Sequence, residues 1–259
     1  MFIDAHAHLT GQEDPLLPDL LSRAALAGVK TILNVCCDLD DLTRGLVLAA
    51  GTSTPKIYTI AAITPHDAAK EMDQFFSLIE ESAQAGSLVA IGETGLDYHY
   101  MHAPKERQQE LLRVHFQLAS KEKLPIVIHC RDAFDDLFVI LDEESKLCSS
   151  PPQVMLHCFT GGIKEARAAV ERGWYISFSG CVTFPKSLGL QEVASMVPLD
   201  KVLIETDTPY LAPQGYRGRR NEPAFIVETA KMVAKCKNIP QELLAQHATE
   251  NTETLFKLK

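Results

Sequence analysis

Short apolar segments alternate with helical segments along the whole chain, and no other feature of the sequence limits the fold as strongly. About eight segments have the pattern of strands, and each is followed by a predicted helix. We predict these strands at residues 2–9, 29–35, 57–63, 88–91, 126–128, 154–156, 175–178 and 202–204. Short strands that are apolar throughout indicate a parallel sheet that helices cover on both faces. Eight such units predict an α/β fold, a (β/α)8 barrel of the TIM type.

An open, doubly wound parallel sheet is the alternative to the barrel. Such a sheet often carries a glycine-rich first turn, but the Gly-x-Gly-x-x-Gly pattern is missing after the first predicted strand. The 259 residues fit one barrel domain, because no low-complexity linker or shift of composition divides the chain. We therefore predict a single domain over residues 1–259, with its site where the strands end and the βα loops begin.

The composition limits the location and the partners of the protein. Hydrophobic residues make up 46% and charged residues 23%, as in soluble globular proteins. We see neither a signal peptide nor an apolar run of membrane-spanning length, and we predict a cytoplasmic protein without a membrane partner. The seven cysteines form no Cys-x-x-Cys pair and are predicted to be reduced thiols. A net charge of −9 argues against broad, nonspecific binding of nucleic acid but allows a local basic cleft.

His6 and His8 lie in the first predicted strand, two positions apart. Side chains at this spacing point to the same face of a strand, so the two imidazoles aim at one point, as two nitrogen ligands of one divalent metal do. The alternative is a pair of unrelated polar residues near the terminus. Other strands also end at side chains that can bind a metal: Glu93, His129, His157, Glu205 and Asp207. Glu205 and Asp207 share a face, and Asp207 is the predicted ligand because it lies nearer the rim.

The same alternation assigns the cysteines that follow two of these histidines. If His129 and His157 face the mouth of the barrel, Cys130 and Cys158 face the surrounding helices. We predict that both cysteines are packed apolar residues and not metal ligands.

Several motifs follow one another along the chain in a fixed order. They are Asp4-Ala5-His6-Ala7-His8-Leu9, Ala90-Ile91-Gly92-Glu93-Thr94-Gly95-Leu96-Asp97, His129-Cys130-Arg131-Asp132, Leu156-His157-Cys158-Phe159-Thr160-Gly161 and Leu203-Ile204-Glu205-Thr206-Asp207-Thr208-Pro209-Tyr210-Leu211. In this order they resemble the motifs of the TatD family of metal-dependent deoxyribonucleases, and Arg220-Asn221-Glu222-Pro223 is similar to the next motif of that family. The family belongs to the amidohydrolase-like metallohydrolases on a (β/α)8 barrel, which agrees with the predicted fold.

The resemblance implies a site for two divalent metal ions, which Mg²⁺, Mn²⁺ or Zn²⁺ would fill. It implies that one ion is held by His6, His8, Glu93 and Asp207, and the second by Glu93, His129 and His157. Glu93 would then bridge the two ions. Two such ions can activate a water and stabilise both oxygens of a phosphoryl displacement, and Asp207 would orient that water or take its proton. The resemblance thus implies that Glu93 and Asp207 are the catalytic residues.

One segment departs from the family pattern. The family commonly has Gly-x-His-Pro-His after the third strand, whereas this chain has Ala62-Ile63-Thr64-Pro65-His66. By the resemblance, His66 is predicted to contact a substrate phosphate, with Thr64 in the place of its partner histidine. A threonine hydroxyl can donate a hydrogen bond to phosphate but cannot offer a cation, so we expect a weaker or shifted substrate preference.

Arginines cluster in the loop after the last predicted strand, at Arg217, Arg219 and Arg220. Arginine pairs with phosphate in bidentate geometry, so we predict that Arg219 and Arg220 bind the substrate. The alternative is a solvated loop with salt bridges to residues such as Glu222. Two further candidates for the same cleft are Arg131 and Tyr98. The histidines left as surface or helix residues are His99, His102, His115 and His247.

These features predict a monomeric, metal-dependent phosphodiester hydrolase. By resemblance its substrate is nucleic acid, with DNA favoured over RNA, and a small basic focus in an acidic protein suits the end of a single strand. We therefore predict a deoxyribonuclease that acts as an exonuclease. One alternative is an amidohydrolase that cleaves an amide or ester of a small metabolite. Another is a catalytically weak relative that acts as a binding protein, for which Thr64 is the one hint.

Overall fold

Eight parallel strands form one sheet in which each strand lies beside its neighbours in sequence, from β1 to β8. The computed structural model describes residues 1–11 and 14–258. The strands are β1 (Phe2–Ala7), β2 (Val29–Cys36), β3 (Lys56–Ala61), β4 (Leu88–Asp97), β5 (Ile126–Arg131), β6 (Val154–Leu156), β7 (Tyr175–Phe178) and β8 (Val202–Ile204). Ala7 bridges to Thr208 just beyond β8, and the N–H of His8 donates to the carbonyl of Thr208 at 2.7 Å. These contacts join the two ends of the sheet, so the barrel prediction is confirmed and the open sheet is excluded.

Helices connect successive strands and surround the barrel. They are α1 (Leu17–Leu26), α2 (Leu39–Gly51), α3 (Asp73–Gln84), α4 (Lys105–Glu122), α5 (Phe134–Leu147), α6 (Ile163–Glu171), α7 (Leu188–Met196), α8 (Ile226–Lys237) and α9 (Gln241–Phe256). The side chain of Asp38 caps α2 by accepting the N–H of Asp41. Within the described residues, none of the helices combines the length and the apolar character needed to cross a membrane.

Two apolar layers explain why the strands are hydrophobic on both faces. One layer fills the barrel with side chains such as Leu33, Val127 and Leu203. The other lies between the barrel and the helices. The end of α9 also contributes to the inner layer, and its Glu253 pairs with Lys30 at the start of β2. Because α9 covers the end where strands begin, the mouth where strands end stays available for a site.

Strand β4 is longer than the sequence pattern predicted, since it continues past Ile91 to Asp97. Its pairing with β5 shifts register between Ile91 and Thr94. At Gly95, φ is +142°, and a Cβ atom would lie 1.9 Å from the carbonyl oxygen of His129. Only glycine permits this close approach, which brings the end of β4 against β5 beside the mouth.

The prediction for the two cysteines is confirmed for one and wrong for the other. Cys130 is buried in the layer between barrel and helices. Cys158 is half-buried and polar in its contacts, with Sγ 3.1 Å from Oγ of Ser179. Because β6 ends at Leu156 and φ of Cys158 is +40°, the alternation of a strand no longer holds at this position.

Candidate metal centre

The side chains that the sequence marked as metal ligands converge at the mouth of the barrel. They come from β1 and the residue after it, from the middle of β4, from β5, and from the first turns after β6 and β8. These side chains are His6, His8, Glu93, His129, His157 and Asp207. All of them are buried or half-buried, so their donor atoms face one another more than they face bulk water.

One group of donor atoms surrounds Oε2 of Glu93. This oxygen lies 3.4 Å from Nε2 of His6 and 3.5 Å from Nε2 of His8. The two Nε2 atoms are 3.2 Å apart, and Nε2 of His8 lies 3.7 Å from Oδ1 of Asp207. Imidazole nitrogens and carboxylate oxygens that converge in this way form the kind of donor set that holds a divalent cation. The residues present therefore fit a metal ion.

A second group surrounds the other oxygen of the same carboxylate. Oε1 of Glu93 lies 2.9 Å from Nε2 of His157 and 3.1 Å from Nδ1 of His129. The two histidine nitrogens are 3.3 Å apart. Glu93 thus presents one oxygen to each group, which is the arrangement that a bridging carboxylate needs.

Burial and charge set the protonation of these groups. Burial alone would raise the pKa of Glu93, but the charge of His157 and hydrogen bonds from neighbouring histidines hold it well below its usual value. Burial, together with the charge of His157, lowers the pKa of His6 to about 4, so this imidazole is neutral and keeps a lone pair for a metal. Burial raises the pKa of Asp207 to about 7. A cation beside Asp207 would favour its ionised form.

Asp97 is a candidate functional residue to which the sequence motifs assigned no role. Its Oδ2 lies 3.0 Å from Nε2 of His129, the ring nitrogen that points away from Glu93. Its Oδ1 accepts the N–H groups of His99 and Tyr100 at 2.9 and 2.8 Å. Burial alone would raise the pKa of Asp97, but the hydrogen bonds to its carboxylate have the larger effect, and the pKa is lowered to about 2. The sequence pattern gave no signal for this contact, because the predicted strand ended at Ile91 and Asp97 lies beyond it.

Glu205 lies beside His157, at a longer distance than that between Asp97 and His129. Its Oε1 lies 3.4 Å from Nδ1 of His157 and accepts the N–H of Cys158 at 2.8 Å. The choice of Asp207 over Glu205 as the residue nearer the mouth agrees with this placement. Carboxylates that accept the outer N–H of a histidine fix its tautomer and its orientation toward a metal.

The segment after β3 places His66 near the second group of donors. The ring of His66 lies 5.7 Å from the ring of His129, and its Nε2 lies 3.8 Å from Oδ2 of Asp97. Thr64 does not share this position, because its hydroxyl donates to Asp67 at 3.3 Å within the same turn. His66 therefore lies beside the candidate metal centre, while the hydroxyl of Thr64 is already engaged.

The arginines differ in what they contact. Arg220 forms an ion pair with Asp14 at 2.8 Å, and the guanidinium of Arg217 lies 4.3 Å from the centre of the Phe184 ring. Arg219 is exposed and forms no ion pair within residues 1–11 and 14–258. The contact of Arg220 supports the alternative that part of this loop serves structure.

The remaining candidates for the cleft also differ in their contacts. Arg131 lies with its guanidinium 4.9 Å from the centre of the Tyr100 ring, at the mouth. Tyr98 donates its hydroxyl to Asp136 on α5 and is engaged away from the donor groups. His102 lies at the rim, with its ring 5.0 Å from that of His66.

The family of the chain follows from a comparison with known proteins. Residues 3–257 match the family model described as TatD related DNase. The chain belongs to the TatD family. The resemblance inferred from the motifs is therefore confirmed, and it covers nearly the whole barrel.

Relatives in the TatD family match this chain over 93% or more of its length. The metal-dependent hydrolase YabD of Bacillus subtilis, itself uncharacterized, is 37% identical and covers 100% of both chains. A protein of Salmonella typhimurium named 3'-5' ssDNA/RNA exonuclease TatD is 34% identical over 93% of this chain and 92% of its own. The crystal structure of the TatD homologue YJJV from Escherichia coli K12 has a TM-score of 0.90 at 29% identity, covering 100% of this chain and 98% of that one. The chain is thus a TatD-family metal-dependent hydrolase, as predicted.

Proposed function

We propose that the protein hydrolyses phosphodiester bonds at the ends of single-stranded DNA, with two divalent metal ions bound at the candidate metal centre. The placement of Glu93 carries this proposal, since Oε2 faces His6 and His8 while Oε1 faces His129 and His157. Two ions that share a carboxylate can stabilise both the attacking and the leaving oxygen of a phosphate displacement. The name of the Salmonella relative supports single-stranded nucleic acid as the substrate and a 3' end as the point of attack.

The side chains of the barrel supply the ligands, a proton acceptor and contacts to phosphate. When bound, the ions supply Lewis-acid polarisation of the phosphate and an activated water, and Mg²⁺, Mn²⁺ or Zn²⁺ would suit the mixed nitrogen and oxygen donors. Ionised Asp207 orients the attacking water and takes its proton. His66, Arg131 and Arg219 contact the phosphate oxygens from the rim, where each is at least partly exposed.

The test is a Glu93→Gln variant, which keeps the shape of the side chain but removes its charge. We expect metal content measured by mass spectrometry to fall, because both ions lose a shared anionic ligand. Cleavage of a labelled single-stranded oligonucleotide should fall on the order of 10³-fold. The matched control is Glu192→Gln, since Glu192 is exposed on α7, outside the donor groups.

Two results would contradict the proposal. Undiminished cleavage by the Glu93→Gln variant would show that Glu93 does not bridge two metal ions that the reaction needs. Equal cleavage of linear strands and of closed circular single strands would remove the preference for ends. RNA and DNA of the same sequence, compared in the same assay, measure the preference between them.

The amidohydrolase alternative retains one supporting observation. Arg220 is paired with Asp14 and Thr64 with Asp67, so fewer side chains than predicted are free to bind phosphate. If the substrate is a small amide or ester, the Arg219→Ala variant should keep its KM. For a nucleic-acid substrate we expect Arg219→Ala to raise KM several-fold, because a charge-assisted hydrogen bond to phosphate is lost.

A further inference from the structure

Two tyrosines at the mouth of the barrel leave more than half of their surface exposed. Tyr100 is 55% exposed and Tyr210 is 60% exposed. We propose that Tyr210 and Tyr100 form a stacking site that holds the bases of a single nucleic-acid strand across the candidate metal centre. The inference rests on the proposed function and adds to it how the strand is held, namely by the faces of its bases as well as by its phosphates.

The two rings lie on opposite sides of the mouth. Tyr100 follows β4 and Tyr210 follows β8, and these strands are four places apart in a closed ring of eight. In a barrel of this kind, strands four places apart face each other across the axis. A nucleic-acid strand that runs from one tyrosine to the other therefore crosses the mouth of the barrel.

Ring contacts tie each tyrosine to a different side of Glu93. Tyr210 lies 5.9 Å from His8, whose Nε2 faces Oε2 of Glu93. Tyr100 lies 6.0 Å from His66, and His66 lies 5.7 Å from His129, whose Nδ1 faces Oε1 of Glu93. The path between the tyrosines thus passes over the carboxylate that joins the two donor groups. A phosphate at that point would have a nucleotide on each side.

Tyr210 is held in place by the backbone around it. Its N–H donates to the carbonyl of Asp207 at 2.8 Å, and its carbonyl accepts a hydrogen bond from Nδ2 of Asn221 at 2.6 Å. Asn221 is fully buried and also donates to the carbonyl of Thr206 at 2.7 Å. The loop is therefore fixed to the end of β8, while the ring that it carries remains exposed. Because the backbone of the loop is already in position, little further ordering of the loop is needed when a base stacks on the ring.

Tyr100 is fixed in a similar way, and a guanidinium lies over one face of its ring. Its N–H donates to Oδ1 of Asp97, and Nη1 of Arg131 donates to its hydroxyl at 3.3 Å. The guanidinium of Arg131 lies 4.9 Å from the centre of the ring. Because the guanidinium covers one face, a base would stack on the other face of Tyr100, while the phosphate pairs with the charge of Arg131.

The chemistry of the rim favours a nucleic-acid strand over an apolar partner. The exposed rings are bordered by histidines and by Arg131, and the centre between them is lined by polar donor atoms. Base stacking on such rings tolerates any sequence, because every base has a π face, and it contributes about 1–3 kcal/mol per base. The bases must be unpaired to stack, so the site selects single strands over duplex.

The test pairs a change in the protein with a change in the substrate. Tyr210→Leu keeps apolar bulk but removes the ring, and the substrates are thymidine oligonucleotides that carry a base-free sugar at the terminal or the penultimate position. On the normal oligonucleotide we expect Tyr210→Leu to raise KM about 5-fold to 150-fold, with a smaller change in kcat. Tyr210→Phe should restore most of the lost affinity. Leu26→Ala, which removes an exposed apolar side chain on α1, is the remote control.

Coupling between the two changes decides the outcome. If stacking holds the base, Tyr210→Leu has little further effect on the oligonucleotide that lacks the stacked base. An equal rise of KM on normal and base-free substrates would overturn the proposal, as would an unchanged KM on all of them. The Tyr100→Leu variant is tested on the same substrates. Its effect on KM should disappear on the oligonucleotide that lacks the base at the other of the two positions.

A binding measurement separates this inference from the proposed function. Fluorescence anisotropy of a labelled thymidine oligonucleotide reports affinity without any need for cleavage. Oligonucleotide cleavage with no loss of affinity in Tyr210→Leu would overturn the stacking site and leave the proposed function standing. Binding without cleavage by the metal-loaded protein would overturn the proposed function, while a 5-fold or greater loss of affinity in Tyr210→Leu would still support stacking. An absence of binding by the unaltered protein would overturn both.

Discussion

His129 shows how much of the candidate metal centre depends on side chains outside the donor set. One ring nitrogen faces Glu93 at 3.1 Å, and the other lies 3.0 Å from Oδ2 of Asp97. The carboxylate fixes the proton on Nε2, which leaves the lone pair of Nδ1 free for a metal. Glu205 lies beside His157, with Oε1 3.4 Å from Nδ1 and no hydrogen bond between them. His129 is thus oriented by an acid that is not itself among the predicted ligands.

We expect Asp97→Asn to lower the affinity for the second metal ion about 10-fold to 100-fold. The amide can donate a hydrogen bond to Nε2 of His129 and so favour the wrong tautomer of that ring. Affinity at the first group should change much less. Isothermal titration of the metal-free protein with Mn²⁺ measures both sites. Asp136→Asn is the matched control, since Asp136 accepts the hydroxyl of Tyr98 away from the mouth. Equal weakening of both sites in Asp97→Asn would show a general loss of structure instead of a positioning role.

At the level of the elements, the sequence predicts most where hydrophobic pattern and backbone agree. The strands predicted at 154–156, 175–178 and 202–204 match the structure residue for residue. The pattern fails where tertiary contacts take over. The extension of β4 beyond Ile91 depends on the approach of Gly95 to β5, which no local periodicity encodes. Pro223 opens a 3-10 turn, so that α8 begins only at Ile226.

The residues of the candidate site, like the secondary-structure elements, could be predicted from the sequence only in part. The residues proposed as ligands could be found from the sequence because strand ends in a parallel barrel meet at one mouth. Asp97 was overlooked because its contact with His129 forms only once β4 extends. The contact of Thr64 with Asp67 is local, between residues three positions apart. The contact of Arg220 could not be predicted, since it depends on where the fold brings Asp14. Loop contacts of this kind follow from tertiary packing and not from motif spacing.

The packing of α4 on β4 makes stability depend on pH through His115. This side chain is fully buried between the two elements, with Nδ1 3.0 Å from Oγ1 of Thr94. Burial lowers the pKa of His115 from 6.5 to about 3, so the folded protein keeps the ring neutral where the unfolded chain binds a proton. The contribution of neutral His115 to stability is therefore intact above pH 6.5 and is lost as the pH falls from 6.5 toward 3.

A His115→Gln variant tests this dependence, because glutamine stays neutral throughout the range. Between pH 7.5 and pH 5 the unaltered protein should lose about 2 kcal/mol of unfolding free energy through this group alone. The difference in stability between the unaltered protein and His115→Gln should shrink by the same amount. Urea denaturation of metal-free protein at the two pH values measures it. A difference that stays constant with pH would show that His115 can be protonated in the folded state.

For the whole molecule, the donor groups connect parts of the barrel that are distant in sequence. The six side chains come from β1, β4, β5, β6 and β8 or from the residues just after them, so they span the circumference of the sheet. Beneath them Asp4 of β1 accepts two hydrogen bonds from Thr206, which follows β8, at 2.8 and 2.5 Å. The monomeric state and the cytoplasmic location stay predictions. The convergence of the six donor side chains, by contrast, is observed directly in the barrel.

Because the donors join opposite strands, metal binding should stabilise the whole barrel. A ligand that binds only the folded state adds about 2.7 kcal/mol to the unfolding free energy when it is present at 100 times its Kd. We expect this gain for each occupied site when Mn²⁺ is added to chelator-treated protein, with Kd taken from titration and stability from urea denaturation. Glu93→Gln should lose most of the gain, because Glu93 faces both donor groups. Glu192→Gln on α7 should keep it. An equal gain in Glu93→Gln would mean that Mn²⁺ stabilises the barrel from somewhere other than the mouth.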